Sequence, residues 1–158
     1  MLSGSTPKER LYVEWPEIES QVKEIVDHLV LSAIQPIRIL GIGRGGLIPA
    51  AMITYLYGCI TDEHPLIESL DVTSYHNEER GKLKLHGVPS DLLSKGMRTL
   101  IVDDIVDSGA TLEALKEILP LAQTAVLVYK ETSSVKPDFC GHVDKDGDRY
   151  WYVFPWEQ

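Results

Sequence analysis

Cysteine is scarce in this chain: Cys59 and Cys140 are the only two in 158 residues. Their spacing fits neither a zinc site nor a redox pair. A disulfide-stapled scaffold is therefore excluded, and both thiols read as reduced side chains of a cytoplasmic protein. Long apolar runs are also missing, and none approaches the roughly 20 residues of a membrane span. Basic residues are outnumbered, 15 against 24 acidic ones, for a formal net charge of −9. That balance argues against a nucleic-acid surface. It also means that an anionic ligand would be held by local cations and metal rather than by the overall field. The opening MLSGSTPKER is polar, lacks the apolar centre of a signal peptide, and reads as a disordered lead-in over residues 1–10. There is no internal repeat and no low-complexity segment. What remains is an ordinary apolar fraction of 44% on a length suited to one domain, residues 1–158.

The stretch around which the chain is organised is Leu100–Thr111, LIVDDIVDSGAT. Leu100-Ile101-Val102 is the apolar run of a strand buried on both faces. Asp103 and Asp104 follow at its end, then two apolar residues, Asp107, Ser108-Gly109, Ala110 and Thr111 at the mouth of a helix. Acids clustered beyond a buried strand do nothing for packing. A turn of small residues and hydroxyls opening a helix leaves backbone N–H groups free, and such groups bind phosphate. Carboxylates repel phosphate, so a divalent cation or the ligand's own hydroxyls must stand between them.

Elsewhere the pattern is that of alternating strands and helices. Leu11–Trp15 reads as a short edge strand. Pro16 suits the first turn of a helix whose apolar face is Ile18, Val22, Ile25 and Leu29, widened by Val26 and Val30. That helix ends before Pro36. Ile37–Leu40 is the first core strand, followed by Gly41-Ile42-Gly43-Arg44-Gly45-Gly46. Glycines around one arginine let the backbone approach a ligand, and the guanidinium fork suits phosphate oxygens. The stretch is a partial GxGxxG, but no acid follows about 20 residues on at a strand end, which counts against a dinucleotide site. Leu47–Tyr57 is apolar nearly all round and reads as a buried helix, with Pro49 in its first turn and Gly58 as its stop. Residues 61–69 read as a loop, Leu70–Tyr75 as a strand and His76–Lys84 as a charged surface loop. Leu112, Leu115 and Leu119 mark a helix ended by Pro120, and Thr124–Tyr129 is a core strand with Lys130 just past its end. Arg44, the Asp103–Thr111 loop and Lys130 thus all follow strands, which in an open parallel sheet share the edge where ligands bind. Asp144, Asp146 and Asp148 hint at a calcium loop, but the glycine and glutamate it requires are missing. The C-terminal RYWYVFPWEQ concentrates aromatics, of which Phe154 and Trp156 are expected to cover the sheet.

The LIVDDIVDSGAT stretch fills every position of the signature of the type I phosphoribosyltransferases, which it closely resembles. The resemblance implies an open, mostly parallel α/β sheet flanked by helices, with a small hood (138–158) and a flexible lid (61–90). It implies a site for 5-phosphoribosyl-1-pyrophosphate (PRPP). Asp103 and Asp104 would face the ribose hydroxyls and Mg²⁺, with Asp104 the metal position. Asp107, Ser108, Gly109, Ala110 and Thr111 would cradle the 5′-phosphate. Arg44 and Gly45 would hold the pyrophosphate, in several relatives next to a cis peptide bond. Ser74-Tyr75 resembles the start of the lid and Arg80 its PRPP-binding arginine, with Lys82 or Lys84 the alternatives. Lys130 matches the lysine that contacts O6 of a 6-oxopurine. Trp151-Tyr152 followed by Pro155-Trp156 looks like the small bacterial xanthine–guanine phosphoribosyltransferases, where an aromatic stacks on the purine and the next backbone meets the base edge. The implied activity is purine salvage: PRPP and guanine, xanthine or hypoxanthine give the nucleoside 5′-monophosphate and pyrophosphate, with Asp107 as general base at N7. Relatives are dimers or tetramers. Two alternatives stand beside this reading: transfer to another base, and a non-catalytic PRPP-sensing regulator.

Overall fold

The structure is a computed structural model that describes residues 8–74, 83–86 and 98–158. In chain order it contains β1 (Glu9–Tyr12), α1 (Trp15–Leu31), β2 (Arg38–Ile42), α2 (Gly43–Thr61), β3 (Leu66–Ser74), β4 (Leu83–His86), β5 (Thr99–Val106), α3 (Ala110–Ile118), β6 (Gln123–Lys130), β7 (Phe139–Asp144) and β8 (Tyr150–Val153). Short 3₁₀ turns occupy Gly147–Arg149 and Pro155–Glu157. Among the described residues, six strands form one sheet in the order β4-β3-β2-β5-β6-β7, and β1 and β8 form a separate pair. Every neighbour in the large sheet is parallel except β3 with β4. This is the expected α/β class.

The central strands are buried on both faces, and their side chains alternate between two cores. Ile39, Leu100, Val102, Ala125 and Leu127 face α1 and α2. Leu40, Ile42, Leu70 and Ile101 face the opposite side, where Leu115 and Leu119 of α3 cover them. α1 buries Ile18, Val22, Ile25, Val26 and Leu29 as its spacing predicts. Val30, expected to widen that face, is exposed. The helix opens with Pro16 in its first turn and the Glu17 carboxylate accepting from the Glu14 N–H at 2.8 Å.

Several boundaries differ from expectation. Glu9 and Arg10, assigned to the lead-in, belong to β1, which therefore runs 9–12 instead of 11–15. Both side chains are exposed, so no apolar alternation marked them, and the strand exists because β8 lies alongside in parallel register. α2 begins at Gly43, inside the expected glycine loop, and ends at Thr61, beyond Gly58. Pro49 sits in its second turn, where it cannot donate to the Gly45 carbonyl. Asp62, in left-handed conformation at φ 61°, closes the helix in place of Gly58. β3 begins at Leu66, inside the expected loop, because Leu66 to Leu70 pair with β2 although Leu66 and Ile67 stay exposed. Of the span expected as a lid, Leu66–Ser74 is thus a strand of the main sheet. Of the span expected as a hood, Phe139–Asp144 is the edge strand β7.

Candidate active site

Parallel pairing brings the carboxyl ends of β2, β5 and β6 to one edge, and three adjoining cavities open there. The first, about 130 Å³, is lined by Asp103 and by Asp107 through Thr111. The second, about 90 Å³, is lined by Asp104, Asp107, Lys130, Trp151, Tyr152 and Glu157 among others. The third, about 470 Å³, is bounded by Arg44, Gly45, Trp156 and Glu157. Asp107 belongs to the first two and Glu157 to the last two. Arg44, Asp104 and Lys130 therefore line adjoining cavities at one edge of the sheet.

The phosphate-loop geometry follows from its small residues. Gly109 caps α3 at φ 93°, a left-handed conformation that other residues rarely adopt. A Cβ there would also lie 2.6 Å from Ser133 Oγ. The Ser134 N–H and hydroxyl both donate to the Ser108 carbonyl at 3.1 Å, bracing the loop from behind. The Ser108 hydroxyl accepts from the Ala110 N–H at 3.3 Å. The first turn of α3 then offers its N–H groups and positive dipole end to the first cavity.

Asp103 and Asp104 lie within β5 rather than beyond its end. Burial pushes the Asp103 carboxyl well above the usual carboxylate range, and the neighbouring Asp104 charge adds to this. Burial also raises Asp104, opposed by a long 3.5 Å hydrogen bond from the Trp156 indole. Among the described residues no lysine or arginine forms an ion pair with either. Gly46 is what lets the first turn of α2 pack on this end of β5, since a Cβ there would collide with the Val102 carbonyl oxygen, and a Cβ at Gly45 would displace the Asp104 carboxylate. Two partly buried carboxylates with no cationic partner among the described residues are oxygen ligands suited to a hard divalent cation. No group of three or more His, Cys, Asp or Glu able to hold a metal occurs among the described residues. That donor set fits Mg²⁺, which typically takes one or two carboxylates and completes its shell with substrate oxygens and water.

Lys130 is 1% exposed, which rules out a solvated strand cap. Its ammonium pairs with Asp107 Oδ1 at 2.8 Å, donates to the Tyr150 carbonyl at 3.0 Å and lies 6.0 Å from the Tyr152 ring. It is the last residue of β6, not the one after it. Trp151 is 56% exposed on the rim of the second cavity, whereas Tyr152 is buried. Burial, with Asp144 nearby, pushes the Tyr152 hydroxyl pKa upward. Arg44 is exposed in the first turn of α2, and the Gly43–Arg44 peptide is trans. Arg80, Tyr75 and Lys82 lie outside the described residues, and Lys84 is in β4, opposite Thr73.

Two residues of this region, Glu157 and Lys8, escaped the sequence reading, and Trp156, which packs against the core as expected, does more than cover it. Phe154 covers the core as expected, but Trp156 stacks on it at 5.1 Å between centroids and also reaches Asp104 and the Arg44 cavity. Glu157 beside it lines two cavities. Lys8 approaches Asp107 Oδ2 at 3.9 Å. Only its adjacency to the aromatic run marked Glu157, and no local pattern marks Lys8.

Comparison with known proteins agrees with this geometry. A family model described as "Phosphoribosyl transferase domain" matches residues 11–157. A xanthine-guanine phosphoribosyltransferase of Gluconobacter oxydans is 35% identical over 99% of this chain and 91% of its own. One from Chromohalobacter salexigens is 32% identical over 92% of this chain and 82% of its own. The crystal structure of a purine phosphoribosyltransferase from Pyrococcus horikoshii superposes with a TM-score of 0.73 at 31% identity, covering 94% of each chain. The Helicobacter pylori xanthine-guanine-hypoxanthine phosphoribosyltransferase, at 21% identity and a TM-score of 0.71, shares the fold. With its signature loop at the carboxyl edge of a parallel sheet and a family match running almost end to end, the chain belongs to the phosphoribosyltransferase family.

Proposed function

We propose that this chain is a purine-salvage phosphoribosyltransferase, moving the phosphoribosyl group of PRPP to a 6-oxopurine and releasing pyrophosphate. The observation that carries this reading is the adjoining of a phosphate-type loop, a partly buried acidic pair and an aromatic-rimmed cavity with a buried lysine, with Asp107 shared between the two cavities. The Asp107–Thr111 turn holds the 5′-phosphate, and Asp103 and Asp104 face the ribose hydroxyls. Arg44 and the Gly45 backbone hold the pyrophosphate, placing positive charge where negative charge develops as the glycosidic bond breaks. Asp104 would hold Mg²⁺, which would supply further charge neutralisation for the leaving group. The purine lies in the second cavity, stacked on Trp151, with O6 toward Lys130 and its 2-position toward the Tyr152 backbone. Asp107 takes the N7 proton as the new bond forms. Arg80 is the lid residue assigned to PRPP.

The lysine–aspartate pair acquires a meaning under this reading. Without a base, Lys130 and Asp107 satisfy each other at 2.8 Å. A purine brings a carbonyl for one and an N–H for the other, so it replaces the ion pair by two hydrogen bonds. The exposed apolar residues Tyr55, Ile60, Leu66 and Ile67 fit the homo-oligomer, dimer or tetramer, that goes with the reading. The two free thiols fit a cytoplasmic location.

The test is a steady-state assay with PRPP, Mg²⁺ and each of guanine, xanthine, hypoxanthine, adenine and uracil, following pyrophosphate release. Turnover with a 6-oxopurine is expected. Turnover confined to a pyrimidine would replace the purine assignment, and none with any base would remove the catalytic one. Asp107→Asn should cut turnover by about 10²-fold or more while PRPP affinity holds.

A further inference from the structure

We infer that Lys8, carried by the N-terminal segment, is a positioning residue for Asp107: it becomes the counter-ion of that carboxylate when Lys130 turns to the base. The inference rests on the roles just proposed for Asp107 and Lys130. It goes beyond them because Lys8 lies in no motif and more than 90 residues from the loop it approaches.

The two oxygens of Asp107 are divided between two ammonium groups. Oδ1 is held by Lys130 at 2.8 Å, and Oδ2 faces Lys8 at 3.9 Å. Lys8 is itself fixed on its far side by Asp148 Oδ1 at 2.9 Å. The result is an alternating chain of charges, Asp148–Lys8–Asp107–Lys130, that ends on the Tyr150 carbonyl. It joins four separate pieces of backbone. Lys8 directly precedes β1, whose first residue, Glu9, pairs with Tyr150, so its backbone is anchored next to the C-terminal segment. About a third of its side chain is exposed, and its ion pair with Asp148 lies at the surface.

Consider what a base must do to this chain. A purine carbonyl that takes the Lys130 ammonium removes the close partner of Asp107 at the moment when that carboxylate must stay ionised to accept a proton. An anion left alone beside the phosphates of PRPP would be raised in energy by like charge. Lys8 stands within one short side-chain movement of contact, on the oxygen that Lys130 does not use. It can close on Asp107 without entering the purine cavity, whose lining does not include it. Asp148, with its side chain 81% exposed, holds Lys8 nearby but touches neither cavity.

The test uses full-length Lys8→Met, Lys8→Arg, Asp148→Asn and Asp107→Asn, each measured for kcat, for KM with PRPP and for thermal stability. Lys8→Met should lower kcat about five-fold, the scale of a partly solvated ion pair, with KM for PRPP unchanged. Lys8→Arg, which keeps the charge, should recover most of the loss. Asp148→Asn should leave kcat within about two-fold of the parent. A purely structural role for Lys8, clamping the C-terminal segment through Asp148, would instead make Asp148→Asn as slow as Lys8→Met. That result overturns the inference, as does an Arg variant no faster than Met. If Asp107→Asn is slow while Lys8→Met is as fast as the parent, only the role of Lys8 falls. If Asp107→Asn is also as fast as the parent, the assignment of the base itself falls, and this inference falls with it.

Discussion

Replacing Lys130 separates two things that this residue does, because its stem and its ammonium have different surroundings. The side chain is 1% exposed, and it ends on Asp107 at 2.8 Å and on the Tyr150 carbonyl at 3.0 Å. Lys130→Ala deletes three buried methylenes, at about 0.8 kcal/mol each, so roughly 2.4 kcal/mol of burial is lost. It also strips the Tyr150 carbonyl of a charged donor, a loss of about 1.5–3 kcal/mol. Against this, the variant no longer desolvates an ammonium, which offsets part of the total. A net destabilisation of about 2–4 kcal/mol follows, or roughly 5–15 °C in Tm for a chain of this length. Lys130→Met keeps a stem of nearly the same volume, so it should be about 2 kcal/mol more stable than the alanine variant. Denaturant unfolding of the two variants beside the parent, in the absence of ligands, measures this. Equal stability of Ala and Met would refute the reasoning that the buried stem matters. The same pair tests the ammonium. Both variants should raise KM for the purine by about ten-fold or more, since each removes a charged hydrogen-bond donor, while KM for PRPP is little changed. A methionine variant with parental purine KM would show that the amine does not meet the base.

Two further predictions concern the neighbouring groups. Burial raises Asp103, so the folded chain binds a proton there more tightly than the unfolded chain does. Metal-free stability should therefore be highest below about pH 4 as far as this group is concerned, and decline as pH climbs through the raised folded value. Asp103→Asn should remove that decline and be the more stable protein at neutral pH, yet bind Mg²⁺ and PRPP less well. Urea midpoints in chelator across the pH range, with titration calorimetry for the ligand, check both halves, and a variant less stable than the parent at neutral pH would contradict the sign. Trp151→Ala should weaken purine binding by about 1–3 kcal/mol, the value of one aromatic stacking partner, with little effect on Tm because the ring is half exposed. A large loss of stability instead would make Trp151 a packing residue.

Whatever depends on neighbours in the chain was legible from the amino acids alone. The apolar run at Leu100-Ile101-Val102 became a strand buried on both faces, and Gly109 caps the helix that the turn residues announced. The apolar spacing of Ile18, Val22, Ile25 and Leu29 became the buried face of α1. Placing Arg44, Asp104 and Lys130 on one edge needed only the rule that parallel strands point the same way, and the structure brings the three to adjoining cavities. Strand and helix limits were less visible where exposed residues take part, as at Leu66-Ile67 and at Glu9-Arg10, because pairing rather than burial recruits them.

By itself, then, the sequence determined the succession from α1 to α2 and from β5 to β6, the phosphate-type loop and the side of the sheet on which chemistry collects, since each of these is written in residues a few positions apart, whereas β4, β7 and β8 went unread. Only the tertiary structure decided that Lys130 is buried against Asp107, that Trp156 reaches across to Asp104, and that Lys8 stands at the far oxygen of Asp107. Those contacts join residues separated by 23 to 99 positions. No local periodicity encodes them. The first arises because β5 and β6 run side by side, and the other two because β1 and β8 pair beside the sheet and bring the two ends of the chain to the same edge.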